Sequence, residues 1–305
     1  MARTSLAGRA GFAASSDDIA SLSRNFTVEA TFPSESEIAG LAAEIPAGTR
    51  LYLSCPPNHS PDALVTLAAA TRAAGLEPVP HLTARAYTDT AMVDRVLGDL
   101  VREAGVSEVL VLAGDRDEVA GPFEGALGLI ETDLLQKHGI REVNISGYPD
   151  GHAKLDDDLL RRALMAKIEA LEKRNLPFNI TTQFCFDAYP VLGWLRWLRG
   201  EGIKAPVRIG VAGPTTMRSL LKFAMRCGVR ASLKGALNPK ALQLFSEAAP
   251  DLVIRGVAEA EDRDALGSIS IHYFSFGGLV KTGQWGMAAA NGRIEFTGEG
   301  FKIVK

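Results

Sequence analysis

The chain has 305 residues, a formal net charge of −3 and 47 % hydrophobic residues. This composition is typical of a globular protein and excludes the collagen-like, disordered and disulfide-dense classes. The near-neutral charge provides no basic surface of the kind that binds nucleic acid or anionic membranes, so neither is expected as a partner.

The N-terminal extension, residues 1–24, is rich in Arg, Ser and Ala and has no acidic residue before Asp17. It weakly resembles a transit peptide and lacks the apolar stretch of a secretion signal, so we interpret it as a frayed terminus. Three widely spaced cysteines, Cys55, Cys185 and Cys227, indicate reduced thiols and a cytoplasmic location. No apolar run reaches the roughly 18 residues that a membrane-spanning helix needs.

Eight short apolar segments predict buried parallel strands, since each is bounded by Gly, Pro or Asp. They span Phe26–Phe32, Arg50–Cys55, Glu77–Thr83, Glu108–Ala113, Glu142–Tyr148, Asn179–Phe186, Pro206–Ala212 and Ile269–Phe276. Helical patterns lie between them at Ser34–Glu37, Asp62–Ala74, Asp89–Glu103, Asp157–Lys173, Pro190–Leu198, Thr215–Cys227, Asn238–Ala248 and Glu259–Leu266. Pro190 is expected at a first helical position.

This alternation predicts βαβ units and a parallel sheet. Eight strands over this length favour a closed α/β barrel, a (β/α)8 TIM barrel, over an open doubly wound sheet. An open dinucleotide-binding sheet also requires G-x-G-x-x-G after the first strand, whereas residues 26–35 contain no glycine. We predict one domain over residues 1–305, with a C-terminal extension at 283–305 in which Asn291-Gly292 forms a hairpin turn.

Functional groups of such a barrel lie at the C-terminal ends of its strands. Glu29 is the most informative polar residue there, because desolvating a carboxylate in an apolar strand is costly. Burial would raise its pKa and make it a candidate general acid, whereas an ion pair with an Arg is the structural alternative. The other strand-end candidates are Ser54, Cys55, His81, Thr83, Asp115, Tyr148, His152, Gln183, His272 and Ser275.

Several of these candidates also have structural interpretations. Asp115 is equally suited to cap the next helix, and Tyr148–Gly151 has the composition of a turn. Gln183 needs hydrogen bonds from a structural network or from a ligand, and His81 is a lone histidine. The sequence has no H-E-x-x-H, G-x-S-x-G or Walker A motif, so no metal site, serine hydrolase or P-loop is predicted.

Five segments in chain order resemble motifs of the methylenetetrahydrofolate reductase family. They are VEATFP around Glu29, HLT at His81–Thr83, GD at Gly114-Asp115, YPDGH at Tyr148–His152 and TQFCFD at Thr182–Asp187. The family carries FEFFPP, PHLT, RGD, YPEVH and TQFFFD in the same order, and the similarity runs from about Phe26 to Phe276. It implies a flavin-bearing (β/α)8 barrel in which NAD(P)H reduces FAD, and reduced flavin reduces 5,10-methylenetetrahydrofolate to 5-methyltetrahydrofolate.

The resemblance also implies roles for individual residues. Glu29 corresponds to the general acid that assists opening of the folate's imidazolidine ring, and Asp115 to the aspartate beside flavin and pterin. Gln183 corresponds to the amide that hydrogen-bonds the pterin, and Phe223 to the aromatic that packs on nicotinamide or folate. FAD is expected to contact Ser54, His81, Thr83, Gly114, Asp115, Tyr148 and His152, with Lys167 at the pyrophosphate and Asp158 at a ribose.

Some positions depart from the family pattern. Ala113 replaces the Arg before Gly-Asp, and Gly278 replaces the Arg that grips the folate's glutamate tail. Lys281 or Arg218 is the candidate to supply the lost charge, and Ser219 stands where a second folate-facing Gln is common. Because family members are often dimers or tetramers, the resemblance implies a homo-oligomer.

Other functions stay open at this point. A different flavin-dependent barrel, such as a proline-dehydrogenase-like oxidoreductase, would share FAD without the Glu29 and Gln183 pair. A non-catalytic folate- or flavin-binding barrel, for example a subunit of a demethylase complex, is a third possibility. For the reductase itself, the sequence is compatible with the reductive direction, which serves methionine biosynthesis, and with the oxidative direction in a demethylation pathway.

Overall fold

Parallel strands close into an eight-stranded barrel in the computed structural model, which describes residues 13–226 and 247–304. The strands are β1 (Thr27–Thr31), β2 (Arg50–Ser54), β3 (Glu77–Thr83), β4 (Glu108–Leu112), β5 (Glu142–Gly147), β6 (Phe178–Thr182), β7 (Val207–Ala212), β8 (Thr215–Thr216), β9 (Glu247–Ala248), β10 (Ile269–Phe274), β11 (Ile294–Thr297) and β12 (Gly300–Ile303). The barrel consists of β1–β7 and β10 and closes where β1 pairs in parallel with β10. The predicted (β/α)8 fold is confirmed.

Helices connect these strands and pack around the barrel. They are α1 (Ser16–Ser23), α2 (Glu35–Ala42), α3 (Ala63–Ala73), α4 (Thr90–Ala104), α5 (Ala126–Ile130), α6 (Leu134–Lys137), α7 (Asp157–Lys173), α8 (Ala188–Gly200), α9 (Met217–Arg226), α10 (Asp251–Ala258) and α11 (Leu279–Ala290). Local sequence explains several ends: Ser34 forms a capping box with Glu37, and Gly105 ends α4 at a φ of 57°. Across the described ranges, no helix has the length and apolarity to cross a membrane.

Two strands end two or more residues before their predicted limits, both at the mouth of the barrel. β6 ends at Thr182 and β10 at Phe274, four and two residues before the predicted ends. Past β6 the chain is still tied to its neighbour, because the Gln183 N–H donates to Gly147 O at 2.9 Å. Gln183 therefore lies on the loop that follows the strand rather than within it.

The N-terminal extension is not frayed in its second half, where helix α1 forms. Ser15 and Asp18 make a capping box at its start. Ile19 and Leu22 are buried, and the helix packs against α11 and α10. The prediction of a frayed terminus was wrong for this segment. The apolar face of α1 is short and the residues around it are small or polar, so the helical pattern in the sequence is weak.

The predicted C-terminal hairpin exists, but its turn is at a different place. Residues 283–290 continue α11, which ends at Ala290 with Asn291 as its C-cap, and Gly292 follows at a φ of 66°. β11 and β12 pair antiparallel around Gly298-Glu299. Asn-Gly suits the end of a helix as well as a hairpin turn, since both require left-handed backbone.

The helices before β10 also differ from the prediction. The predicted helix Glu259–Leu266 is displaced, because α10 begins directly after Pro250 and only a 3₁₀ turn, Arg263–Leu266, follows it. The predicted helix Asn238–Ala248 lies outside the described residues except for its last two, which form β9, and Cys227 lies outside them as well.

Two helix starts differ by a few residues. Pro190 is the third residue of α8 instead of the first, because Asp187 caps that helix by accepting the Tyr189 N–H at 2.9 Å. The helix predicted from Thr215 starts at Met217, because Thr215 and Thr216 pair with β9 instead. Neither shift changes the order of the elements.

A polar cluster holds the lower end of the barrel, where the strands begin. We call Arg50, Tyr52, Glu108, Asn144 and Arg208 the basal cluster. Glu108 Oε1 accepts from Asn144 Nδ2 at 2.9 Å and Arg208 Nη1 at 3.0 Å, and its Oε2 accepts from Arg50 Nε. Although burial alone raises the pKa of Glu108, Arg208 and Arg50 outweigh it and hold the pKa below its ordinary value.

Candidate functional site

A cavity of about 790 Å³ opens at the C-terminal ends of the strands. This volume lies in the range typical of small-molecule and cofactor sites. The predicted site residues that line it are Glu29, Ser54, His81, Thr83, Gly114, Asp115, Tyr148, His152, Gln183 and Phe223. The structure thus brings these residues together from loops and strands that are distant in sequence.

Glu29 lies in β1 at the floor of this cavity. Its Oε2 is 3.2 Å from His272 Nε2 and 3.5 Å from His81 Nε2, and its side chain is 13 % exposed. Burial raises the pKa of Glu29, the Asp115 carboxylate raises it further, and His81 opposes them. Among the described residues, the side chains within 4 Å of its carboxyl oxygens are the two histidines and not an Arg, so the alternative of an Arg partner was wrong.

Both histidines are uncharged at neutral pH. Burial lowers the pKa of His81, and it lowers the pKa of His272 to about 3, with Arg208 adding to the effect. Burial therefore outweighs the opposing effect of His81, and Glu29 keeps its proton to a higher pH than an exposed Glu. This electrostatic arrangement is the one that a general acid needs near neutral pH.

Aromatic rings form part of the cavity wall. Phe223 of α9 stacks on Phe276, with ring centroids 4.1 Å apart and planes within 9° of parallel. Phe184 packs edge-on against Phe276 at 4.9 Å, and Tyr148 packs edge-on against His152 at 5.9 Å. Such walls suit a ligand with planar rings, which gains from stacked and edge-on contacts.

The structure adds information on the alternative roles of Asp115 and Gln183. Asp115 is exposed at the cavity rim and does not cap a helix, since α5 begins only after Gly125. Gln183 Oε1 accepts the Phe184 N–H at 3.0 Å, which leaves the side-chain NH₂ as the donor for a ligand.

Among residues 13–226 and 247–304, no group of His, Cys, Asp or Glu could hold a metal ion.

Two predicted cofactor residues on α7 do not line the cavity. The Lys167 side chain is buried, and its Nζ donates to Ser146 O and to Ser146 Oγ, each at 3.2 Å. Burial lowers the pKa of Lys167 to about 8. Asp158 is exposed in the first turn of the helix, where an acidic residue is favoured by the helix dipole.

Two predicted folate contacts also lie outside the lining. Ser219 is half-buried and its Oγ donates to Phe276 O at 3.4 Å, which ties α9 to the loop after β10. Lys281 is exposed on α11. Their roles toward folate stay predictions.

A family model described as methylenetetrahydrofolate reductase matches residues 59–239, more than half of the chain. The chain belongs to the methylenetetrahydrofolate reductase family. Membership supports a methylenetetrahydrofolate reductase-like function, that is, an oxidoreductase acting on a folate-type small molecule.

Solved structures with a similar fold are distant. A dihydropteroate synthase from Thermus thermophilus is 14 % identical with a TM-score of 0.45, covering 85 % of this chain and 90 % of its own. A triosephosphate isomerase from Bartonella henselae is 13 % identical with a TM-score of 0.42, covering 68 % and 90 %. A 2,3-dimethylmalate lyase is 9 % identical with a TM-score of 0.49, covering 88 % and 80 %. These likenesses carry no argument about activity.

Three cations line the cavity of this methylenetetrahydrofolate reductase family member without having been singled out in its sequence: Arg85, Arg116 and Lys154. Arg85 donates to Glu124 O and Arg116 O, so it holds the loop after β4 in place. Arg116 donates through Nη2 to the loop after β2, and its Nε is buried without a hydrogen-bond partner among residues 13–226 and 247–304. The sequence feature that could have identified Arg116 is its position three residues after Ala113, the residue that replaces the family Arg.

The loop after β10 explains the second departure from the methylenetetrahydrofolate reductase pattern. Gly278 has a φ of 117°, a conformation that an Arg rarely adopts. A Cβ at Gly277 would lie 1.9 Å from Pro214 O, so that position also requires glycine. The backbone of this loop therefore excludes the family Arg at its usual place.

Proposed function

We propose that this chain is an FAD-dependent methylenetetrahydrofolate reductase that passes hydride from NAD(P)H, by way of FAD, to 5,10-methylenetetrahydrofolate. The observation that carries the proposal is the Glu29 carboxyl, which lies at the cavity floor beside two neutral histidines and has a raised pKa. Opening of the folate's imidazolidine ring requires a proton at a ring nitrogen, and a carboxylic acid of raised pKa is suited to supply it near neutral pH.

The cavity residues fit FAD in volume and in chemistry. The buried Nε of Arg116, which has no hydrogen-bond partner in the described part of the chain, is a suitable donor to a phosphate oxygen. Gly114 has a φ of 92°, and a Cβ there would lie 3.0 Å from Thr83 Cβ, so the glycine keeps this wall tightly packed. FAD bound here would supply a carrier for one hydride, that is, for a proton together with two electrons.

The chain's own groups then have distinct tasks. Arg85, Arg116 and Lys154 meet phosphate charge locally, which suits a protein of near-neutral net charge. Because the Lys167 ammonium is engaged by Ser146, we assign the main phosphate contact to Arg116 instead. Ser54, His81, Thr83, Tyr148 and His152 remain the proposed polar and ring contacts of FAD.

Other residues act on the folate. Glu29 donates a proton to a ring nitrogen and becomes a carboxylate. The exposed carboxylate of Asp115 stabilises the cationic form of the folate that results. The Gln183 NH₂ donates to the pterin, and the Phe223–Phe276 stack provides the ring surface against which nicotinamide or folate packs.

Anaerobic half-reactions of the purified holoprotein test the proposal. We expect a flavin absorption spectrum, bleaching by NADH or NADPH, and recovery of the oxidised spectrum when 5,10-methylenetetrahydrofolate is added. A protein that takes up no FAD on reconstitution contradicts the cofactor assignment. Bleaching without recovery by the folate contradicts the substrate assignment and favours another flavin-dependent barrel.

The reductive direction and a homo-oligomeric state are part of the proposal. The same assay run with 5-methyltetrahydrofolate as reductant measures the oxidative direction, and a faster rate there than in the reductive direction contradicts the first assignment. Sedimentation equilibrium measures the oligomeric state, and a monomer over the micromolar range contradicts the proposed homo-oligomer.

A further inference from the structure

Helix α9, at the mouth of the cavity, has a basic exposed face that the proposed function does not use. Arg218 and Lys222 lie four residues apart on this face, one helical turn from each other, and both are exposed. We call them the basic pair. Leu220 and Ala224 form the opposite, buried face of the helix. The sequence around α9 is basic as a whole, since residues 209–246 contain Lys and Arg but no Asp or Glu.

The basic pair lies at the rim of the cavity. Met225 follows Arg218 by seven residues, so the two side chains share one face of α9. Met225 is 62 % exposed and lines the cavity, and Phe223, the residue after Lys222, lines it as well. A ligand that extends out of the cavity over this helix therefore meets the basic pair.

The loop after β10, where Gly278 stands in place of the family Arg, packs against the same helix. The Phe276 ring of this loop stacks on Phe223 of α9, with centroids 4.1 Å apart. Ser219 Oγ of α9 donates to Phe276 O at 3.4 Å. The position that lacks the family cation and the helix that carries the basic pair are therefore neighbours at one side of the mouth.

The basic pair is available to an anionic ligand. In the ranges that the structure describes, neither member forms an ion pair. Exposed arginines on two other helices, Arg102 on α4 and Arg196 on α8, are paired with carboxylates instead. Lys281, the other candidate for the lost charge, already interacts with another group of the chain. Cations without a paired carboxylate attract an anion more strongly than paired ones do.

We propose that the basic pair binds the carboxylates of the substrate's glutamate tail and so takes over the task of the Arg that Gly278 replaces. The proposal rests on the proposed function, which places a folate in the cavity. A folate carries one glutamate, or several joined through their γ-carboxyl groups, so free α-carboxylates recur along its tail. Two cations one turn apart suit such a row of carboxylates, and they favour a tail of several glutamates over a single one.

Equilibrium titration of the holoprotein with oxidised pterins tests the proposal without any reaction at the flavin. The probes are pteroic acid, which has no glutamate, folic acid, which has one, and pteroyltriglutamate. Calorimetry should show pteroyltriglutamate bound about fourfold to twenty-fivefold more tightly than pteroic acid, because each ion pair at an exposed site contributes about twofold to fivefold. This ratio of affinities should fall with added salt, which screens exposed charges.

Variants of the basic pair show which residues produce the ratio. Arg218→Ala/Lys222→Ala should bring it to about one, and Arg218→Glu/Lys222→Glu should reverse it, because the triglutamate is then repelled. Both positions are exposed, so the variants are expected to fold. The matched control is Lys204→Ala, which removes an exposed cation before β7, at the opposite end of the barrel, and should keep the wild-type ratio.

Each other outcome overturns the proposal in a distinct way. If the wild-type ratio is about one, or the double alanine variant keeps the wild-type ratio, the tail site is wrong, while recovery of the flavin spectrum by 5,10-methylenetetrahydrofolate still supports the proposed function. A ratio lost only in Lys281→Ala assigns the tail to α11. A double variant that keeps the ratio but binds NADPH more weakly assigns the basic pair to the hydride donor. If the wild type binds none of the three pterins, this proposal and the folate assignment both fail.

Discussion

Glu29 and Glu108 are both buried inside the same barrel, one near each end of it. Glu108 has a cation or an amide at each carboxylate oxygen, and its pKa lies below the ordinary value of Glu. Glu29 faces two neutral histidines and a cavity, and its pKa is raised. The difference shows that burial alone does not fix the role of a carboxyl: the charge of its neighbours decides whether it holds strands together or exchanges a proton.

The comparison is sharpest in the variant Glu29→Gln, for which we predict the largest effect. The amide has the same shape but cannot act as an acid, so the folate half-reaction should slow about 10²- to 10⁴-fold. Flavin reduction by NAD(P)H should be unchanged, because it does not require that proton. Stopped-flow absorbance of each half-reaction provides the measurement.

A matched control for that experiment is Glu201→Gln, which changes an exposed carboxyl at the end of α8. It should leave both half-reactions at the wild-type rate. If Glu29→Gln also reduces the folate at the wild-type rate, Glu29 is not the acid and the two buried carboxyls do not differ in the way we describe.

Glu108→Gln should produce the opposite pattern. Removing this carboxylate leaves the guanidinium groups of Arg50 and Arg208 without their common partner, which should lower the free energy of unfolding by about 3–5 kcal/mol. Urea denaturation at pH 7 measures the change, with Glu103→Gln as the exposed control expected within about 0.5 kcal/mol of wild type. Unchanged stability in Glu108→Gln would show that the basal cluster does not hold the barrel.

The same contrast applies to two arginines. Arg208 is engaged by Glu108 and Tyr52, whereas the buried Nε of Arg116 at the cavity has no hydrogen-bond partner among the residues that the structure describes. Arg116→Ala should therefore weaken FAD binding about tenfold to a hundredfold, as expected for a charged hydrogen bond to phosphate. Fluorescence titration of the apoprotein measures this affinity, and Arg102→Ala on exposed α4 is the control. Equal affinities of both variants contradict the assignment of Arg116.

Asp150 is a third buried carboxyl, and we expect its substitution to have the smallest effect of those considered. Both its oxygens are buried, and burial raises its pKa to about 6 although the backbone N–H of Phe186 acts in the opposite direction. Since the folded pKa lies above the ordinary 3.8, ionisation of Asp150 removes stability as the pH rises from about 4 to 6. Asp150→Asn should raise the free energy of unfolding at pH 7 by about 1–3 kcal/mol and have little effect below pH 4.

Urea denaturation at pH 7 and at pH 3.5 measures the Asp150→Asn effect. The exposed Asp117→Asn serves as its control. A less stable Asp150→Asn protein at pH 7 would show that the hydrogen bond to the carboxylate outweighs its burial, and that this third carboxyl belongs with Glu108 rather than with Glu29.

The sequence predicts the barrel and much of its mouth because both depend on local patterns. Apolar runs between Gly, Pro and Asp mark each barrel strand, and a polar residue such as Glu29 or His81 within such a run is visible without a structure. The position of these residues then follows from the rule that strand ends converge. Asp115 and Gln183 are found in the same way.

Contacts between distant segments are not visible in this way. Thr27 and His272 are 245 residues apart and meet only because β1 pairs with β10 to close the barrel. Lys167 was expected at a phosphate, but the orientation of α7 buries its ammonium against Ser146. Arg116 reaches the cavity through the path of a loop, which no periodic pattern encodes.

Titration of the two buried glutamates in one protein tests the account most directly. Carboxyl-carbon NMR of glutamate-labelled protein, with resonances assigned through Glu29→Gln and Glu108→Gln, measures both pKa values in the folded state. We predict a pKa above 4.5 for Glu29 and below 4.5 for Glu108. A Glu29 that titrates at or below 4.5 would contradict the claim that this carboxyl carries the proton used at the cavity.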